Sequence, residues 1–153
     1  MWFLFPGPEA FALSSLGYLW LYRTIDLLPD INIERIYSDT KTTEIYRNQI
    51  SLVGVSFTFD MDFLQIFAFM EKNNYEIKAK DRKDTDPIIF AGGPVITSNP
   101  EPYKEIFDFM VIGDGEEANF EAVKICCENQ NKKFLKFSVK LKGSMYPQYN
   151  KIQ

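Results

Sequence analysis

Two glycine-bearing stretches hold the residues of this sequence best placed to do chemistry. Gly92-Gly93-Pro94 closes the apolar run Ile88-Ile89-Phe90-Ala91, and Gly113-Asp114-Gly115-Glu116-Glu117 closes Phe109-Met110-Val111-Ile112. Glycine at the carboxyl end of a strand lets the backbone turn sharply, take positive φ and approach a ligand closely. Gly92-Gly93 therefore reads as the floor of a cofactor site or as a plain tight turn. Ser56 and Thr58 end a third run, Leu52-Val53-Gly54-Val55. Their hydroxyls suit a ligand contact or the satisfaction of nearby backbone groups.

Other chemistries are excluded by what is missing. Gly113-x-Gly115 starts like a dinucleotide fingerprint, but the third glycine is absent and Asn119 stands near its place. Glu116 and Glu117 would repel a phosphate seeking the helix N-terminus, so a neutral polar group or simple capping suits this turn better. The chain has no histidine, which removes imidazole acid–base catalysis, His-metal sites and a Ser-His-Asp triad. Its two cysteines, Cys126 and Cys127, are adjacent on a helical pattern and cannot build a metal site alone. Asp60, Asp62, Asp108 and Asp114 are explained by helix caps and turns. A phosphorelay receiver needs an acid pair after its first strand and a Lys after its fifth. A flavodoxin needs a Ser/Thr-rich phosphate loop. Neither pattern is present.

These residues need a frame to position them. Uninterrupted β-branched and aromatic runs closed by glycine read as buried strands of a parallel sheet. Trp2 to Phe5, Leu52 to Phe57, Ile88 to Gly92 and Phe109 to Ile112 read as apolar strands, and Ile31 to Tyr37 as a fifth by alternation of Ile31, Ile33 and Ile36. A helix is expected between Ala10 and Leu28, capped by Ser14 or Ser15 and stopped by Pro29-Asp30. Leu13, Leu16, Gly17, Trp20, Thr24, Leu27 and Leu28 form its stripe at 3.6-residue spacing. Asp60 or Asp62 caps a second helix through Asn73, with Phe63, Ile66, Phe67 and Met70 inward. Lys78 to Asp86 reads as an exposed charged loop. Pro100 and Pro102 open a short helix. Glu116 and Glu117 start the last one, with Phe120, Val123 and Cys127 toward the sheet. Ser38 to Asn48 reads as loop, and Phe137 to Leu141 as an added edge strand. Alternating strands and helices with right-handed crossovers predict a three-layer α/β fold. Its sheet is mostly parallel and five-stranded, in the flavodoxin-like or Rossmann-like order 2-1-3-4-5.

The 153 residues fit one domain, 46% apolar residues allow a sizeable core, and the net charge is −4. That charge argues against nucleic acid as a partner. The basic cluster Lys132, Lys133, Lys136, Lys140 and Lys142 reads as a solvated face or linker. The apolar start lacks a basic n-region and is broken by Pro6-Gly7-Pro8, so neither a signal peptide nor a membrane span is expected. A cytoplasmic location follows. No feature of the sequence sets an oligomeric state.

The glycine motifs, taken with Asn99-Pro100-Glu101-Pro102 and Asp108 between them, resemble the cobalamin-binding-like N-terminal domain that precedes the catalytic barrel in many radical SAM proteins. Leu13-Ser14-Ser15-Leu16-Gly17-Tyr18 is similar to the start of that family's first helix. Gly7-Pro8-Glu9 departs from it where an acidic residue commonly follows the first strand. The resemblance implies a domain over residues 1–142 and a tail over residues 143–153 leading toward a radical SAM barrel of the same polypeptide. It implies a corrinoid between the two, contacted by Ser56, Thr58, Gly92, Gly93, Pro94, Gly113, Gly115 and Glu116, with no histidine as lower ligand. The 4Fe–4S cluster and S-adenosylmethionine would belong to the barrel, since the CxxxCxxC they need is not in this chain. The radical chemistry then lies outside these residues, whether the chain is a piece of a longer protein or a stand-alone relative. The alternative is a cofactor-free docking or scaffold domain that keeps the fold and its glycine loops.

Overall fold

The computed structural model describes residues 1–29, 31–40, 49–113, 115–128 and 144–145. Five parallel strands make the sheet: β1 (Trp2–Phe5), β2 (Glu34–Tyr37), β3 (Leu52–Ser56), β4 (Ile88–Gly92) and β5 (Phe109–Val111). Their order is 2-1-3-4-5, as the strand pattern predicts. A short sixth strand, β6 (Ser144–Met145), pairs antiparallel with β5, setting Ser144 opposite Val111 and Met145 opposite Met110. The edge strand expected at Phe137 to Leu141 lies outside the described residues.

Alternation along the strands divides the core into two layers. Phe3, Phe5, Leu52, Ile88, Phe90, Phe109 and Val111 face one layer. Trp2, Leu4, Val53, Val55, Ile89, Ala91 and Met110 face the other. Helices α2 (Leu16–Asp26) and α5 (Gly115–Glu128) pack on the first. Helix α3 (Phe63–Lys72) packs on the second, burying Ile66, Phe69 and Met70. Ile112, expected in the sheet interior, lies one residue past β5 and is half-buried.

The first helical region departs from expectation in two ways. It is two helices, α1 (Glu9–Ala12) and α2. The break falls where the Ser14 hydroxyl donates to the Phe11 carbonyl at 2.8 Å, a local bond that competes with helix continuation. Ser15 takes the N-cap position in extended geometry, without a side-chain capping bond. The expected stripe also faces outward: Leu16 is 83% exposed, Leu27 77% and Trp20 56%. A second stripe at the same spacing, Tyr18, Tyr22 and Ile25, takes the core side. Tyr18 decides the choice. Its ring stacks on Phe3 at 4.6 Å, and its hydroxyl donates to the Phe3 carbonyl at 3.1 Å.

The charged stretch from Lys78 to Asp86 is not simply an exposed loop. Ala79 and Arg82 are buried within it. Arg82 donates to the Asp108 carboxylate at 2.9 Å and to the Ile106 carbonyl. The same carboxylate oxygen accepts the Ile89 backbone N–H at 2.9 Å. Asp108 therefore does not cap a helix. It ties the start of β4 to the start of β5, at the amino edge of the sheet. On α5, the buried positions among the described side chains are Asn119, Ala122, Val123 and Cys126, while Phe120 is only half-buried and Cys127 lies outside them. Asparagine replaces the expected aromatic on the sheet side because it sits over Gly92, where there is room for a small polar group.

Candidate functional site at the carboxyl rim

The register sets Ser56, Gly92 and Val111 side by side at the carboxyl ends of β3, β4 and β5. This is the edge at which open α/β sheets bind ligands. Gly93 and Pro94 follow directly, with Gly93 the N-cap and Pro94 the first residue of α4 (Pro94–Ser98). The helix expected at Pro100 and Pro102 is a single 3-10 turn, Glu101–Tyr103. The longer one starts earlier, because Gly93 turns the chain and Pro94 is already set for a first helical turn.

The rim is tied together mostly by backbone. Phe57 N–H donates to the Gly92 carbonyl at 2.8 Å, and Val95 N–H to the Phe57 carbonyl at 3.3 Å. Gly93 has φ 118, and a Cβ built on it would lie 2.6 Å from the Phe57 carbonyl oxygen. Its missing side chain makes room for the chain leaving β3. Gly92 is buried, with Asn119 and Val111 at ordinary contact distance from where its Cβ would be. Gly113 has φ 91, and nothing lies within 4 Å of its Cβ position. The Gly113 N–H donates to the Thr97 hydroxyl at 3.1 Å, which joins the loop after β5 to α4.

Ser56 and Thr58 are half-buried at this edge. The loop that follows is turned by Asp62. Its carboxylate accepts the Phe59 N–H at 2.9 Å and the Thr58 N–H at 3.2 Å. Of the two acids proposed to cap there, Asp62 is the one that accepts these backbone bonds. Burial, and then the Asp60 carboxylate, raise the Tyr103 phenol above its ordinary pKa. Gly115 opens α5 and Glu116 is its second residue. The structure thus brings Ser56, Gly92, Gly93, Pro94, Gly113 and Gly115 to one rim, with Thr58 on an adjoining turn. Asp114 lies outside the described residues.

Sequence reasoning missed the apolar character of this end. Phe59 and Met61, on the loop after β3, are 66% and 65% exposed, and Leu64 in the first turn of α3 is half exposed. Phe11, Leu13 and Leu16, on the segment after β1, are exposed as well. β1 and β3 are neighbours in the sheet, and the strand order reverses between them. The signal was present at Phe59-Asp60-Met61, where two large apolar residues flank an acid in a turn.

Among the described residues no group of His, Cys, Asp or Glu could hold a metal ion, and no helix is long and apolar enough to cross a membrane. Compared with known proteins, the chain matches no curated protein and no solved structure. The sequence profile of a family described as radical SAM proteins, N-terminal, matches residues 17–147, from the second residue of α2 past β6. With most of its length inside that match, the chain belongs to the family of radical SAM protein N-terminal domains.

Proposed function

We propose that this chain is the docking module of a radical SAM protein: it performs no radical step and packs its carboxyl rim against the catalytic domain of the same polypeptide. The observation that carries this reading is the set of exposed apolar side chains after β1 and β3, with Phe59 and Met61 foremost. Exposed large apolar residues grouped at one end of a small domain mark an interaction surface. The catalytic domain is the partner because the family is defined as the N-terminal part of proteins that contain one. It would also hold the cluster and S-adenosylmethionine, for which this chain has no CxxxCxxC.

A corrinoid held between rim and catalytic domain is the second reading, favoured by Gly113, whose open Cβ position is not required by internal packing. The other residues fit such a group poorly by themselves. Gly93 is occupied by the Phe57 backbone, and there is no histidine to replace a lower ligand. This reading therefore rests on Ser56, Gly92 and Gly113.

Two measurements separate these readings. The chain is mixed with the separately produced catalytic domain and run on a sizing column. Co-elution that is lost in Phe59→Ser/Met61→Ser and kept in Ile77→Ser supports docking by the rim. Co-elution indifferent to the rim pair sinks it. The chain, alone and in that complex, is then incubated with hydroxocobalamin and desalted. Retained colour that disappears in Gly113→Val would establish the corrinoid reading in place of the cofactor-free one.

A further inference from the structure

A pocket lies alongside α3 at the β2 edge of the sheet, lined by none of the glycines of the rim. Its floor is apolar, made by Leu4, Ile36 and Phe69. Its polar residues are Tyr37, Ser38, Thr40, Gln65 and Lys72, and among the described residues none that lines it is acidic. That absence is notable in a chain with 21 acidic and 17 basic residues. The Lys72 ammonium donates to the Thr40 carbonyl at 3.1 Å, spanning from α3 to the segment after β2. One such bond leaves two of its three N–H groups for another acceptor. Among the described residues, the Ser38 hydroxyl and the Gln65 amide make no side-chain hydrogen bond.

Size decides what fits. The pocket measures about 70 Å3. A water molecule needs roughly 10–15 Å3 of such space, which leaves room for about five to seven non-hydrogen atoms. That is too small for a nucleotide or a corrinoid and right for a short organic acid. Besides the Asp39 carboxylate, which stands between Ser38 and Thr40 and accepts the Glu9 N–H at 3.3 Å, the local charge has an opposing contribution in the carbonyl end of α3. It is partly offset, since the Asn73 amide already donates to the Phe69 carbonyl at 2.8 Å and Lys72 stands in the same turn.

We propose that this pocket binds a short-chain monocarboxylate, its carboxylate on Lys72 and Ser38 and its hydrocarbon on Leu4, Ile36 and Phe69. The site is independent of the docking reading, because it uses none of the rim residues.

The test is a titration of this chain with sodium butyrate, followed by the methyl resonances of Leu4 and Ile36. A saturable shift at both is expected, with a dissociation constant on the order of millimolar for so few atoms. 1-Butanol, which keeps the hydrocarbon and loses the charge, should bind about tenfold more weakly, and so should butyrate to Lys72→Met. Inorganic phosphate should shift neither methyl. Lys72 is exposed, so Lys72→Met should fold, and Gln65→Leu gives an independent variant with a weaker effect. No saturable shift, equal binding of butanol, or unchanged binding by Lys72→Met would each overturn the proposal. Phosphate competing as well as butyrate would reduce the site to a nonspecific anion contact and overturn it equally.

Discussion

The position of a Cβ on Gly93 falls 2.6 Å from the carbonyl oxygen of Phe57. No real side chain tolerates that distance to backbone, and the φ of 118 is itself unfavourable for any L-residue. The second glycine of the motif is thus held by packing between two stretches of this chain. Gly93→Ala should destabilise the domain by about 2–3 kcal/mol, from backbone strain plus displacement of the β3 exit. Gly92→Ala, whose new methyl would meet its neighbours at 3.6 Å, should cost under about 1 kcal/mol. Urea unfolding of the two variants measures the difference. Equal midpoints would mean that the Phe57 loop yields easily and that Gly93 is retained for another reason.

Arg82 and Asp108 form a buried pair, with 1% and 13% of their side chains exposed. Removing the cation leaves the carboxylate without its charged partner and the Ile106 carbonyl without a donor. Arg82→Met should therefore cost about 3–5 kcal/mol. Asp108→Asn on that background should recover part of the loss, because the remaining amide oxygen still accepts the Ile89 N–H and no charge is stranded. The exposed pairs Lys78–Glu105 and Lys104–Glu101 offer the contrast: Lys78→Ala should leave the unfolding midpoint where it is. A double-mutant cycle that shows no coupling between Arg82 and Asp108 would refute this account.

What was legible in the sequence follows from the strength of each local signal. Leu52–Ser56 and Ile88–Gly92 are continuous apolar runs with glycine after or within them, and both are central strands. The order 2-1-3-4-5 follows from alternation and handedness once the strands are placed. The glycine motifs located the rim, because a strand's carboxyl end is where such residues are needed. Periodicity could not choose a face for α2, since that helix is apolar on both sides and only the Phe3–Tyr18 contact settles it. Arg82 was hidden by its neighbours. One buried cation among Lys80, Asp81, Lys83 and Asp84 carries no local signature, and its partner is 26 residues away. The pocket beside α3 is likewise assembled from three segments far apart in the chain, β1, β2 and α3 with the residues that follow the two strands.

Tyr18 gives the domain an alkaline limit. Burial first, then the adjacent Tyr37, raise its phenol well above the ordinary value of about 10. Burial also raises Tyr37. A raised folded-state pKa means that the unfolded chain releases the proton first. The stabilisation is complete below pH about 10 and is lost as pH climbs from there toward the folded value. Stability of the native chain should therefore fall steeply above pH 10, by up to about 1.4 kcal/mol per pH unit for Tyr18 alone. Tyr18→Phe should be less stable at neutral pH, having lost the bond to the Phe3 carbonyl, yet show a shallower decline above pH 10. Parallel declines in the two proteins would place the alkaline sensitivity elsewhere.

The two tryptophans test the outward face of α2 directly. Trp2 is 2% exposed, with its indole N–H donating to Glu34 at 2.9 Å. Trp20 is 56% exposed on the opposite side of its helix from Tyr18. Trp20→Phe leaves Trp2 as the sole emitter, and its fluorescence should be blue-shifted and nearly insensitive to acrylamide. Trp2→Phe leaves Trp20, whose emission should be red-shifted and strongly quenched. Stability should divide the same way. Trp20→Lys should stay within about 0.5 kcal/mol of the native chain, as surface changes do, whereas Trp2→Ala should lose about 3–5 kcal/mol from the second core layer. If Trp20 is as shielded as Trp2 in the isolated chain, then the face carrying Leu16, Trp20 and Leu27 is covered. A concentration series would then show whether a second copy covers it: quenching that rises on dilution identifies self-association, and quenching that stays low at every concentration contradicts the placement of α2.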